Sequence, residues 1–217
     1  MDGWRCVRDP DDFRMAVVRG CRMTLEVIAA LDVSLTSTGI CYGTNADDWN
    51  TIAVKSTNRG DDVVSRVKRY EAIVERVDGI LAVVRPKLIL IEGYSFGSKN
   101  GRHEAMAELG GLIRWHATEY TPHVLEVAPT TLKKFTTGKG AGDKALIQAH
   151  VQKRWGQIFA SNDEADAFCL FHMALCIAER QEAETQPQRE AVKTVLSKSP
   201  ATGQQIALFC QGGEKPF

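Results

Sequence analysis

Leu25-Glu-Val-Ile-Ala-Ala-Leu-Asp32 and Lys87-Leu-Ile-Leu-Ile-Glu92 are two short apolar runs, each closed by a carboxylate. Runs of this length, rich in branched residues, read as strands covered on both faces of a sheet. A charge closing such a run is expensive unless it is paired, solvated or bound to a cation. Asp32 and Glu92 therefore stand out as strand-end acids, and strand ends are where ligand sites form in open α/β sheets.

Working outward, Ser37 to Gly43 reads as a hairpin partner for the first run, and Thr51 to Lys55 as a third strand. Apolar residues at Val63, Val67, Tyr70, Val74, Val77, Leu81 and Val84 then make one stripe of a long helix, which Pro86 ends. After Glu92 come a Gly/Ser/Asn loop, a helix over about 102–119 and a fifth strand over His123 to Val127. Helices are expected over Asp143 to Trp155 and from Asp163 to about Arg180. The expected fold is α/β, a five-stranded mixed sheet made of a three-strand antiparallel meander plus parallel strands and flanked by helices. Periodicity alone leaves other α/β folds open.

Residues 1–22 read as an N-terminal extension without folded structure, 23–181 as the domain, and 182–217 as a polar tail, largely disordered, with a short helix around Arg189 to Leu196. Hydrophobic residues make up 44% of the 217 residues and charged residues 25%, the profile of a soluble globular protein. No apolar run approaches the roughly 20 residues that cross a bilayer, and Met1 to Arg22 offers no signal-peptide core. The six cysteines, at positions 6, 21, 41, 169, 176 and 210, form no CxxC pair. They read as small core residues or surface thiols of a reducing compartment, so a cytoplasmic location is expected.

The net charge of zero excludes a global basic signature of nucleic-acid binding. Locally the balance differs: between Ala128 and Gln157, Lys133, Lys134, Lys139, Lys144, Lys153 and Arg154 face Asp143 alone. Such a stripe suits phosphates, although charge by itself is better described as a solvated surface.

Asn162-Asp-Glu-Ala-Asp-Ala-Phe168 supplies two further acids. Asp163 and Asp166, three apart at the start of a helix, share a face. Each acid has an ordinary reading of its own: Asp163 as a helix cap or first-turn acid, Asp32 as the start of a turn, Glu92 as a strand terminus. Their coincidence points further. Four acids without Cys or His ligands suit hard cations such as Mg²⁺ or Mn²⁺. Two such ions suit in-line attack of water on a phosphodiester.

These motifs resemble those of RuvC-type Holliday-junction resolvases, nucleases of the RNase H-like, retroviral-integrase superfamily. Leu31-Asp-Val-Ser-Leu-Thr-Ser-Thr-Gly39 is similar to the family's first catalytic strand and turn, and Ile89-Leu-Ile-Glu92 with Lys99-Asn100 to the second. Asp163-Glu-Ala-Asp-Ala167 resembles the closing DxxDA helix, and Pro129 to Lys144 the basic loop with two lysines eleven residues apart. The similarity covers about residues 25–180 in the family's order.

The resemblance implies a crossover-junction endodeoxyribonuclease of recombination and repair, acting by two-metal hydrolysis with Mg²⁺ or Mn²⁺. Asp32, Glu92, Asp163 and Asp166 would be catalytic metal ligands, with Lys133 and Lys144 approaching the scissile phosphate. Phe96, Tyr94, Lys99, Lys134 and Lys139 would contact DNA, Phe96 being favoured over Tyr94 as an aromatic wedge. Branched DNA (four-way junctions, with forks and flaps as further candidates) and a homodimer follow as partners. The helix with Met106, Leu109, Gly110 and Ile113 offers either an interface or a core stripe. The N-terminal extension and polar tail fit a phage or mobile-element relative better than the bacterial housekeeping pattern.

Three other readings compete for the same residues. An RNase H-like nuclease acting on RNA or RNA–DNA hybrids would use the same four acids, and the lysine loop tips the balance towards DNA. A non-catalytic junction-binding module is disfavoured because all four acids are present. A sugar-kinase or actin-like ATPase, suggested by Asp32 to Gly39, needs two such domains and gives no reason for the DxxDA helix.

Overall fold

A computed structural model describes residues 26–58, 60–94, 103–140 and 144–199. The chain order is β1 (Ile28–Asp32), β2 (Ser37–Asn45), β3 (Asp48–Lys55), α1 (Val63–Val84), β4 (Leu88–Glu92), α2 (His103–Tyr120), β5 (Val124–Val127), α3 (Pro129–Thr137), α4 (Lys144–Trp155), α5 (Asn162–Ile177) and α6 (Gln186–Lys198). The five strands form one sheet in the order β3-β2-β1-β4-β5. β1, β2 and β3 are an antiparallel meander, and β4 and β5 add on in parallel to β1. The expected mixed sheet is the sheet observed, and among the described residues no helix is long and apolar enough to cross a membrane.

Alternation along the two central strands decides what each face carries. Ala29, Leu31, Ile89 and Ile91 point to the layer formed by α1 and α2. Ile28, Ala30, Leu88 and Leu90 point the other way, into a core with α3, α4, α5 and α6. With a period of two, Asp32 and Glu92 fall on that second face. Parallel pairing couples Leu31 to Ile91, and one further step of this register sets Asp32 beside Glu92.

α5 is the central helix of that face, and every residue from Ala167 to Ile177 is buried. Its first turn is capped by Ser161, whose Oγ accepts from the Glu164 backbone N–H at 3.2 Å, while the Glu164 carboxylate lies 2.8 Å from the same hydroxyl. Ser161 thus takes the cap position open to Asp163 on sequence grounds.

Two segments differ from the expectation. The stretch after Ala128, read as a basic loop, begins as the nine-residue helix α3, with Pro129 in its first turn and Gly138 closing it at φ 82°. Leu132, Phe135 and Thr136 are its buried face. Within the expected tail, α6 is longer than the short helix anticipated. Thr185 and Gln188 form a reciprocal capping box, and Gln188, Ala191 and Val195 are buried. Thirteen residues with so little apolar content hold a helix here because α3, α5 and the edge of β5 cover its one apolar face. The expectations on residues 1–22, 200–217, Phe96, Lys99 and the side chain of Lys144 lie outside what the structure describes.

Of the stripe on α2, Leu109 and Ile113 are fully buried against β4 and α1, Gly110 is buried and Met106 is half-buried. Apolar side chains that α1 and α2 leave exposed include Val63, Val67, Leu112 and Trp115, the last 60% exposed.

Candidate active site

The Ser/Thr-rich turn after β1 closes on itself. Thr38 Oγ1 donates to the Ser34 carbonyl at 2.9 Å and accepts from the Ser34 N–H at 3.2 Å. The turn therefore has its own bonds and leaves the Asp32 carboxylate to the inner face.

Asp32 is 7% exposed at the end of a fully buried strand. Burial pushes its carboxyl well above the ordinary carboxylate range; the neighbouring Glu92 adds to this by charge and by a side-chain hydrogen bond, and Asp166 and Asp163 add their charges. Asp32 of β1 and Glu92 of β4 are thus hydrogen-bonded neighbours, and Asp163 and Asp166 in the first two turns of α5 are near enough for their charges to act on Asp32. Glu92 is half-buried at the end of β4, and Asp163 and Asp166 are half-buried on α5.

A residue the sequence reading passed over makes the approach of α5 possible. Gly39 on β2 pairs with Asp32 in the antiparallel register. A Cβ built there would stand 2.0 Å from the Asp163 carbonyl oxygen and 2.5 Å from its carbon. Both are backbone atoms, so no side-chain rotation relieves the clash. The N-terminus of α5 sits on a bare strand, and this brings Asp163 and Asp166 within electrostatic reach of Asp32. The signal was visible as the glycine directly after Ser37-Thr38, but its reason is a contact 124 positions away, between Gly39 and Asp163.

The cations divide. Lys133 is half-buried and Lys139 is exposed beyond the end of α3. Lys134 is engaged with Glu190 of α6 at 2.6 Å, so any phosphate contact by Lys134 competes with an ion pair. Tyr94 is likewise held: its ring lies under the Arg114 guanidinium, 4.4 Å away, and its hydroxyl donates to the Ala107 carbonyl at 3.2 Å. One ring face is covered by the guanidinium, which makes Tyr94 a poorer stacking platform than the sequence allowed.

Ligand spacing alone singles out a different trio. Asp78 on α1 with His116 and Glu119 on α2 have ligand atoms all within 4.8 Å of one another. These groups lie on the opposite face of the sheet from Asp32, at the surface, and the Asp78 carboxylate already has two partners. Tyr120 donates to Asp78 Oδ1 at 2.7 Å, and His116 Nδ1 lies 3.2 Å from the same oxygen.

No protein-family model matches the chain. The chain is similar to two proteins named crossover junction endodeoxyribonuclease RuvC. It is 31% identical over 104 residues to that of Gloeobacter violaceus, covering 47% of this chain and 60% of the relative. To that of Fusobacterium nucleatum subsp. nucleatum it is 28% identical over 114 residues, covering 51% and 60%. The matches thus span 60% of the length of either relative. Among solved structures, Thermus thermophilus RuvC superposes with a TM-score of 0.54 at 20% identity, over 66% of this chain and 90% of that one. T. thermophilus RuvC in complex with Holliday junction substrate gives 0.53 at 19%, over 67% and 89%. The sequence resemblance to RuvC-type resolvases and the fold expected from it both hold.

Proposed function

We propose that the chain is a metal-dependent endonuclease that cleaves phosphodiester bonds in branched DNA, resolving four-way junctions by paired nicks. The observation that carries this reading is the burial of Asp32 against Glu92, with α5 adding Asp163 and Asp166 to the same pair. Similarity to two RuvC proteins supports the substrate class.

The donor set fits hard divalent cations. It is four carboxylates with no thiolate or imidazole among them, and its most buried member is disfavoured as a lone anion. Asp32, Glu92, Asp163 and Asp166 would hold Mg²⁺ or Mn²⁺, two ions by analogy with other phosphodiester hydrolases. Bound there, the ions would supply an activated water and neutralise the leaving oxygen. The chain's own residues fix the geometry. β1 lies between β2 and β4, so Asp32 cannot shift without breaking two strand pairings. Asp163 is seated by the backbone contact at Gly39. Lys133 and Lys144 are proposed to stabilise charge developing on the phosphate, and Lys139, Phe96 and Lys99 to bind DNA nearby.

Paired nicks in a two-fold symmetric junction require two sites, hence a homodimer. The apolar flank of Val63, Val67, Leu112 and Trp115 supports association of a second copy.

A cleavage panel of four-way junction, fork, flap, linear duplex and RNA–DNA hybrid, each with Mg²⁺ or Mn²⁺, tests the reading. Symmetric nicks across the junction are expected. Cutting confined to the hybrid would end it.

A further inference from the structure

Arg114 of α2 is bonded to four parts of the chain. Its Nε donates to Glu126 Oε2 at 2.9 Å, and Nη2 lies 2.9 Å from the same oxygen. Nη1 donates to the Tyr94 hydroxyl and to the Gly110 carbonyl, each at 2.9 Å. Nη2 also donates to the main-chain carbonyl of Glu92 at 3.3 Å. A guanidinium has five N–H donors in a planar fork, and four of them make hydrogen bonds here. Its face completes the arrangement by covering the Tyr94 ring.

The partners matter more than their number. Glu92 ends β4 and carries one of the four site carboxylates, and Glu126 belongs to the adjacent strand β5. Tyr94 is the last described residue before the segment that carries Phe96 and Lys99. One side chain from a helix thus ties Tyr94 and β5 to the strand end that carries Glu92. Two neighbouring glycines show that the helix is shaped around this clamp. A Cβ at Gly110 would stand 2.3 Å from the Tyr94 hydroxyl and 2.7 Å from Arg114 Nη1, whereas one at Gly111 would meet nothing within 4 Å.

We propose that Arg114 is a positioning residue. It sets the direction of the β4 end, and therefore of the Glu92 carboxylate, by holding that end to Tyr94 and to β5. The inference rests on the nuclease reading of the Asp32–Glu92 site. A lysine has neither the fork nor the planar face, so Arg114→Lys keeps the charge and loses the clamp.

The test compares R114K, G110A and G111A with the unsubstituted full-length chain on a four-way junction. Junction affinity, single-turnover cleavage rate, the Mg²⁺ concentration giving half-maximal rate, and Tm are all measured. R114K and G110A are expected to lower the rate at least about tenfold and raise the half-maximal Mg²⁺ severalfold, with affinity changed less than about threefold; G111A should match the parent in rate and affinity. An unchanged R114K rate at all Mg²⁺ concentrations overturns the proposal. So does a loss of rate, affinity and Tm in proportion, which would make Arg114 a structural residue only. Absence of metal-dependent cleavage in the parent chain would instead refute the nuclease reading, so the two failures are distinguishable.

Discussion

Two groups of ligating side chains lie on opposite faces of the same sheet, and they differ in how their charges are satisfied. Asp78, His116 and Glu119 are close together, but a tyrosine hydroxyl and an imidazole already bond the central carboxylate, and water reaches all three residues. Asp32, Glu92, Asp163 and Asp166 come from β1, β4 and α5 into a place where burial and like charge raise the cost of ionising Asp32. Proximity describes both groups. Burial together with like charge describes only the second: it raises the cost of ionising Asp32, whereas Asp78 at the surface is met by a hydroxyl and an imidazole.

The comparison breaks most directly by substitution. Asp32→Asn and Glu92→Gln are each expected to lower Mg²⁺-dependent cleavage by about 10²–10³-fold or more while junction binding survives. Asp78→Asn and His116→Gln should leave the rate as it is. Full activity in either member of the first pair, read in single-turnover assays, would remove the contrast.

The backbone contact at Gly39 gives the next largest effect. Gly39→Ala forces β2 and α5 apart and should cost roughly 3 kcal/mol or more, with cleavage lost as Asp163 and Asp166 withdraw. Denaturant unfolding checks the stability, and a variant as stable as the parent would show that α5 need not sit on bare strand.

Titration sharpens the contrast further. Asp32 has a raised pKa in the folded state, so its favourable contribution is present below its ordinary pKa of 3.8 and is lost as pH rises through the folded value. At neutral pH, Asp32→Asn should therefore raise the Tm of the metal-free protein, and Mg²⁺ should raise the parent's Tm but not the variant's. His172, on the same face, gives the opposite slope. It is 1% exposed, and burial lowers its pKa from 6.5 to about 4 despite a hydrogen bond with Gln181. Its contribution is present above pH 6.5 and is lost as pH falls towards 4, amounting to about 2 kcal/mol by pH 5. Thermal melts of His172→Leu between pH 4 and 7 should show that slope flattened; an unaltered slope would place the acid sensitivity elsewhere.

The smallest effect belongs to the α2 side. Gly111 is exposed with open space around its Cα, so Gly111→Ala should stabilise by about 1 kcal/mol through helix propensity. A loss of stability would mean that the surface here is less open than its contacts indicate.

Local patterns made much of the fold legible. The two apolar runs, the helix stripe ended by Pro86 and the acids at strand ends were all present in the sequence. Strand alternation then put Asp32 and Glu92 on one face without further information. α3 was missed because a stretch with Lys133, Lys134 and four threonines that runs into Gly138 and Gly140 looks like a loop. Its helix signals, Pro129 and the spacing of Leu132 and Phe135, gain force only when α5 and α6 cover its apolar face. α6 was underestimated for the same reason, since its content of Gln, Lys and Thr reads as solvated until α3 is beside it.

By itself, the sequence determined which strands would be central, which acids would end them and which metal chemistry four carboxylates suit, because these follow from periodicities of two and 3.6 and from donor type. The tertiary structure alone decided that Gly39 must be bare, that Arg114 clamps the end of β4 and that Lys134 is paired with Glu190. Each of these depends on a contact between distant positions, and such contacts leave no local pattern in the chain.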